Sequence, residues 1–170
     1  TYPINWRRAN GTPEKIFSGE EKLSSVADHG LNWQRTISCA FANTAIYAPV
    51  SNSYTNTSKH WLITPTIDLT ALSQDANIML SFELGLSSRD GAEIAPKQPS
   101  AADKFIVAVS LDNGTTWQLE NSTWWSDVPA DNPTYSYASI PHMGKVYAIN
   151  FQKYIGKQIQ IAFINYSVNT

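Results

Sequence analysis

The chain has 170 residues, with 12 Lys and Arg against 14 Asp and Glu, so its net charge at pH 7 is −2. The longest basic run is Arg7-Arg8, and without a concentrated basic surface a nucleic-acid partner is excluded as an expectation. Its apolar runs fall far short of the roughly 20 residues of a membrane helix, so membrane insertion is not expected either. Charged residues make up 15% of the chain, while six Trp, eight Tyr and six Phe supply aromatic bulk. The polar surface must then come from Ser, Thr, Asn and Gln, a mix suited to strands and turns.

In chain order, the N-terminal Tyr2-Pro3-Ile4-Asn5-Trp6 has neither the charged start nor the apolar core of a secretion signal. Residues 1–27 are the least decided part, and the best helical candidate there is the short Gly19–Leu23. Cys39 is alone, which excludes a disulfide framework and marks it as a small hydrophobe. His60–Thr64 reads as a β-rich run stopped by Pro65. Asn77–Leu84 alternates, with Ile78, Leu80, Phe82 and Leu84 on one face. Ser87–Asp103, holding Gly91, Pro96 and Pro99, reads as a long surface loop. Lys104–Ser110 groups Phe105, Val107 and Val109, and Ser122–Gly144 reads as a second long loop, rich in Pro and aromatics. Lys145–Phe151 and Lys157–Tyr166 complete the strands, the latter with Ile159, Ile161 and Phe163 inward and Gln158 and Gln160 outward. Period-two runs imply one buried and one wet face. The expected fold is all-β, an antiparallel jelly-roll-like β-sandwich forming a single domain over residues 1–170.

The sharpest local motif is Ser110-Leu111-Asp112-Asn113-Gly114-Thr115-Thr116-Trp117. Asn-Gly suits a tight hairpin, the Asp112 carboxylate can accept bonds from turn amides, and Trp117 can fold back as a lid. The pattern resembles the Asp-box of sialidases and related propellers, where it is structural; here Asp112, Gly114 and Trp117 are assigned to a structural turn.

Several segments in order resemble the cleaved-adhesin family, the haemagglutinin modules of gingipain-type proteases, and the related choice-of-anchor J domains of bacterial surface proteins. They are Asp28–Trp33, His60–Leu69 (HWLITPTIDL), Leu80–Glu83 with Phe105–Trp117, and Tyr154–Phe163. The resemblance implies a non-catalytic adhesion module of a larger secreted or cell-surface protein, with calcium in its loops. Asp28 and Glu83 are the candidate metal ligands it leaves, although calcium wants six to eight oxygens and the Ala27-Asp28-His29-Gly30 loop retains one carboxylate. The family's further strand after Phe163 has no counterpart in Ser167–Thr170, so either the family register is imperfect or a final strand is missing.

No metalloprotease, nucleophile-elbow or P-loop pattern is present, and His29, His60 and His142 lie far apart, so no catalytic residue is assigned and the chain is not expected to be an enzyme. The ligand surface is expected at the aromatic loop, on Trp124, Trp125, Tyr135 and Tyr137, together with the 87–103 loop, against the alternative, weighed above it, that these aromatics plug the end of the sandwich. In an extended stretch one of the two adjacent Trp rings must face away from the core, and exposed rings suit sugar faces and protein hot spots. The expected partner is a carbohydrate or a host surface protein. The alternatives are a structural accessory domain without its own ligand, and a glycan-active enzyme built on a pair of the acids.

Overall fold

The computed structural model describes residues 5–26, 33–36, 48–50, 58–86 and 103–167. These form an all-β fold of antiparallel sheets with one short helix among the described residues. The principal sheet is built on β5 (Ser58–Ile63), β8 (Lys104–Ser110) and β11 (Gln158–Ser167). Strand β11 lies between the other two, with Ala162 opposite both Ile63 and Ala108. On the β5 side follow β1 (Arg7–Asn10) and β2 (Ser24–Ser25). On the β8 side follows β9 (Ser122–Ser126), and β6 (Ile67–Asp68) pairs with the start of β11. A separate ribbon joins β7 (Met79–Leu84) to β10 (Lys145–Asn150), and a smaller one joins β3 (Gln34–Thr36) to β4 (Ala48–Val50).

Both faces of the principal sheet are buried. On one face Leu62, Phe105, Val107, Trp125, Ile159 and Ile161 pack with Tyr147 and, from the ribbon, with Leu80, Phe82 and Ile149. On the other face Trp61, Ile63, Ile106, Ala108, Trp124, Ala162 and Ile164 pack beneath Ile16 and Phe17 of helix α1 (Pro13–Ser18). The expected wet face is thereby corrected. Strands buried on both faces carry near-continuous apolar runs rather than strict alternation, which is what Phe105–Val109 and Ile161–Ile164 contain. Gln160, expected to face solvent, is buried, whereas Gln158 is exposed. In the ribbon the alternation holds: Leu80, Phe82 and Leu84 turn inward and Met79, Ser81 and Glu83 outward.

The helix lies just before the Gly19–Leu23 stretch expected to hold it. Pro13 fills its first turn, where a missing N–H costs nothing, and Gly19 ends it in the left-handed region (φ 80°), its N–H donating to Ile16 O. Gly19–Leu23 is therefore the exit from the helix; there Glu21 Oε1 accepts the Thr12 amide at 3.1 Å. A second correction concerns Ser122–Gly144: its first residues form β9, and only the remainder is irregular.

The principal sheet offers little long free edge among the described residues: on one side it ends in the two-residue β2. Strand β2 lies along β1, and the chain near Tyr135 runs along β9, with Tyr135 N donating to Trp124 O and Ser126 N donating to Tyr135 O, each at 3.0 Å. Covered edges deny other chains a template for pairing.

Trp125→Ala should cost about 3–5 kcal/mol, the range for truncating a buried Trp, because Trp125 is 0% exposed. Val146→Ala, on the outer face of the ribbon at 63% exposure, should stay within about 0.5 kcal/mol. Urea denaturation of the two variants checks both.

Candidate functional site

Trp124 and Trp125 lie on β9 and do point to opposite faces, but both are buried, at 5% and 0% exposure. The expected surface ring is absent because each face of the sheet at β9 has its own cover. Trp124 meets Phe17 of α1 at 5.9 Å between ring centroids, and Trp125 meets Phe82 of β7 at 5.9 Å and Phe105 at 5.3 Å. Tyr135 stacks on Trp125 at 4.8 Å and Tyr137 is buried. These aromatics close the core, and the expected ligand surface on them is withdrawn.

Of the two metal candidates only Glu83 can be placed. Asp28 lies outside the described residues. Glu83 is exposed on the outer face of β7, and no group of three or more His, Cys, Asp or Glu side chains gathers among the described residues. Glu83 alone supplies too few of the six to eight oxygens calcium requires.

The Asp112 turn is tightly bonded. Ser110 Oγ donates to Asp112 Oδ1 at 2.7 Å and accepts from Gly114 N at 2.9 Å. Thr116 donates to the same carboxylate twice, from its amide at 2.9 Å and its hydroxyl at 2.6 Å. Asn113 (φ 58°) and Gly114 (φ 77°) both take positive φ, as the tightest hairpin turns require. A Cβ on Gly114 would displace the side-chain ends of Gln160 and Arg7, but it is the positive φ that calls for glycine there. Trp117 returns from the turn into the core and meets Trp61 edge-on at 5.5 Å.

Other acids are also held by turns and packing. Asp68 accepts from the Thr70 amide and hydroxyl and from Gln158, and Asp127 accepts from the Ser136 hydroxyl and the Ala138 amide. Asp131 and Glu14 face Lys104, whose Nζ lies 2.7 Å from Glu14 Oε1 and 2.9 Å from Asp131 Oδ2. Lys104 sits at the start of β8 with its side chain 8% exposed, over the Trp124 ring. Burial alone would lower its pKa, but the hydrogen bonds and charges of Glu14 and Asp131 outweigh that and raise it. This cluster ties α1, β8 and the turn at Pro129–Asp131 together.

A shallow cleft lies at the end of the ribbon, beside β9. It encloses about 100 Å³, with Val107, Val109, Ile149 and Phe151 beneath it. Asn121, Thr123, Asn150, Lys153 and Tyr154 form its rim. Lys153 Nζ donates to Glu120 O at 3.0 Å and lies 5.0 Å from the centre of the Tyr154 ring. Tyr154 O–H reaches Asn121 Oδ1 at 3.4 Å, and burial pushes its pKa up to about 12, so it remains a neutral donor. Sequence reasoning passed over Asn121, Asn150 and Lys153, because no local pattern marks residues that meet only when β9 and the end of β10 are packed together.

Comparison with protein-family models, with curated proteins and with solved structures returns no match. No helix among the described residues is long and apolar enough to cross a membrane.

Asp131→Ala should cost about 1.5–3 kcal/mol, the usual worth of hydrogen bonds to a charged group, and less in a Lys104→Met background, where no buried charge is left short of a partner. A double-mutant cycle by chemical denaturation checks this. The acid limb of stability offers a second check. Burial alone would raise the Asp112 pKa, but the bonds from Thr116, Ser110 and Thr115 outweigh it and lower it. A depressed carboxylate stabilises the fold above its unfolded pKa of about 3.9, and that contribution is lost as pH falls through the folded value. Asp112→Asn should therefore be less stable at pH 7 and show a shallower loss of stability below about pH 4, measured as melting temperature against pH.

Proposed function

We propose that this chain is a non-catalytic extracellular adhesion or binding module, part of a larger secreted or cell-surface bacterial protein, which recognises a carbohydrate or a host surface protein. In this reading the two-layered arrangement of principal sheet and ribbon is the jelly-roll-like sandwich that the HWLITPTIDL and Tyr154–Phe163 segments resemble. The observation that carries the proposal is the cleft at the end of the ribbon: an apolar floor of Val107, Val109, Ile149 and Phe151 under a rim of amide, hydroxyl and ammonium groups. Binding sites for small ligands combine largely apolar walls with a few placed polar groups, and the doubly covered sheet beneath holds those groups rigidly.

One observation favours the alternative of a structural accessory domain. The aromatics best suited to binding are spent on the core, with Trp125 at 0% exposure. The glycan-active reading is weakened by the turn and ion-pair duties of Asp68, Asp112, Asp127 and Asp131.

Whole chain applied to a glycan array and to a panel of extracellular host proteins should show saturable binding to at least one class. Asn150→Ala and Thr123→Val should weaken that binding about tenfold each, the equivalent of one lost hydrogen bond; Thr123→Val should leave the melting temperature unchanged, whereas Asn150→Ala also loses the bond from Gln152 N and should lower it. Absence of any ligand would favour the accessory-domain reading, and binding that both variants retain in full would remove the cleft as the site.

A further inference from the structure

Resting on the reading of the cleft as a ligand site, we propose that its ligand is an acidic saccharide, held by its carboxylate against Lys153 and Asn150 with a C–H face of its ring on Ile149.

A count of spent and unspent hydrogen-bonding groups leads to this class. The Asn121 amide is used at both ends: Oδ1 accepts from Tyr154 O–H at 3.4 Å and Nδ2 donates to Gln118 Oε1 at 3.3 Å. The Ser122 hydroxyl donates to Leu119 O and accepts from Trp124 Nε1. Asn150 Oδ1 accepts from Gln152 N at 2.8 Å, which fixes the side chain and leaves its NH₂ to donate. Lys153 spends one proton on Glu120 O, which leaves two. The unspent groups of Asn150 and Lys153 are thus donors, the Thr123 hydroxyl can both donate and accept, and the set suits a ligand rich in acceptors.

Charge sharpens the class. No Asp or Glu lines the cleft, and among the described residues no carboxylate pairs with Lys153. A carboxylate reaching Lys153 and the Asn150 NH₂ would make charge-assisted bonds, the strongest kind available there. A peptide carboxylate would bring an obligate N–H donor with each backbone carbonyl onto a rim already supplied with donors, whereas every hydroxyl of a pyranose ring can turn to accept. The half-buried Ile149 beside Phe151 offers apolar surface for a ring C–H face.

Size sets the strength. At about 100 Å³ the cleft is well below the roughly 300–1,000 Å³ of pockets that enclose a whole ligand. It takes the terminal residue of a chain, so one contact should bind in the millimolar range, and strong attachment would come from many copies displayed together.

The test is titration of ¹⁵N-labelled whole chain with a glucuronate-terminated oligosaccharide, its glucose-terminated counterpart, sodium acetate and an acidic dipeptide. Saturable shifts centred on Thr123 and Asn150 are expected for the glucuronate compound, with the glucose compound, acetate and the dipeptide each at least about tenfold weaker. Lys153→Met should lose binding by about the same factor, while Lys153→Arg and the remote Lys22→Met retain it. Equal binding of acetate would reduce the cleft to a simple anion site. Equal or tighter binding of the dipeptide would make it a peptide-carboxylate site, and either result overturns the proposal. Binding that survives Lys153→Met overturns it as well. Shifts at the cleft from the glucose compound alone would sink the acidic class and leave the binding-module reading standing. If none of the probes binds and the array finds no ligand, both fall together.

Discussion

Strands β5, β11 and β8 are desolvated on both faces, and the rest of the described chain is arranged to keep water off them. Ile63, Ala162 and Ala108 lie in one row across the three strands, with exposures of 0%, 0% and 0%. Burying apolar surface is the dominant favourable term in folding. A sheet wetted on one face would forfeit half of that gain from a run such as Phe105–Val109. The ribbon of β7 and β10 covers one side and helix α1 the other, so two otherwise marginal elements, a two-stranded ribbon and a six-residue helix, become stable through packing rather than through propensity.

The aromatic residues divide between the two faces. Trp61, Trp117, Trp124 and Phe17 form a chain of ring contacts on the helix side, and Trp125, Tyr135, Tyr147, Phe82 and Phe105 form another on the ribbon side. The Asp112 turn feeds the first chain by delivering Trp117, and the Lys104 cluster pins the helix over it. Polar machinery here serves the core: Ser110, Asp112 and Thr116 hold a turn so that an indole can be buried, and Glu14 and Asp131 neutralise a lysine that passes beneath Trp124. The cleft lies in a small place where the layers part, bordered by groups whose local duties leave donors unspent.

The strands His60–Thr64, Asn77–Leu84, Lys104–Ser110, Lys145–Phe151 and Lys157–Tyr166 were legible to within a residue or two, because apolar periodicity is a local property and Pro65 and the Asp112 turn punctuate it. The helix was misplaced by several residues. Gly19 was read as part of it, although a glycine after Pro13–Ser18 is a stop signal. Strand β9 was hidden within a Pro- and aromatic-rich stretch whose composition resembles a loop.

The amino-acid sequence by itself determined that the chain would be all-β, that its long strands would be antiparallel, and that Ser110–Trp117 would turn. Each of these rests on spacing between near neighbours. Only the tertiary structure decided that both Trp124 and Trp125 are covered, that Gln160 is inside, and that Asn121, Asn150 and Lys153 share a rim. Those outcomes depend on which element lies over which face, and residues more than twenty positions apart meet only when the layers close.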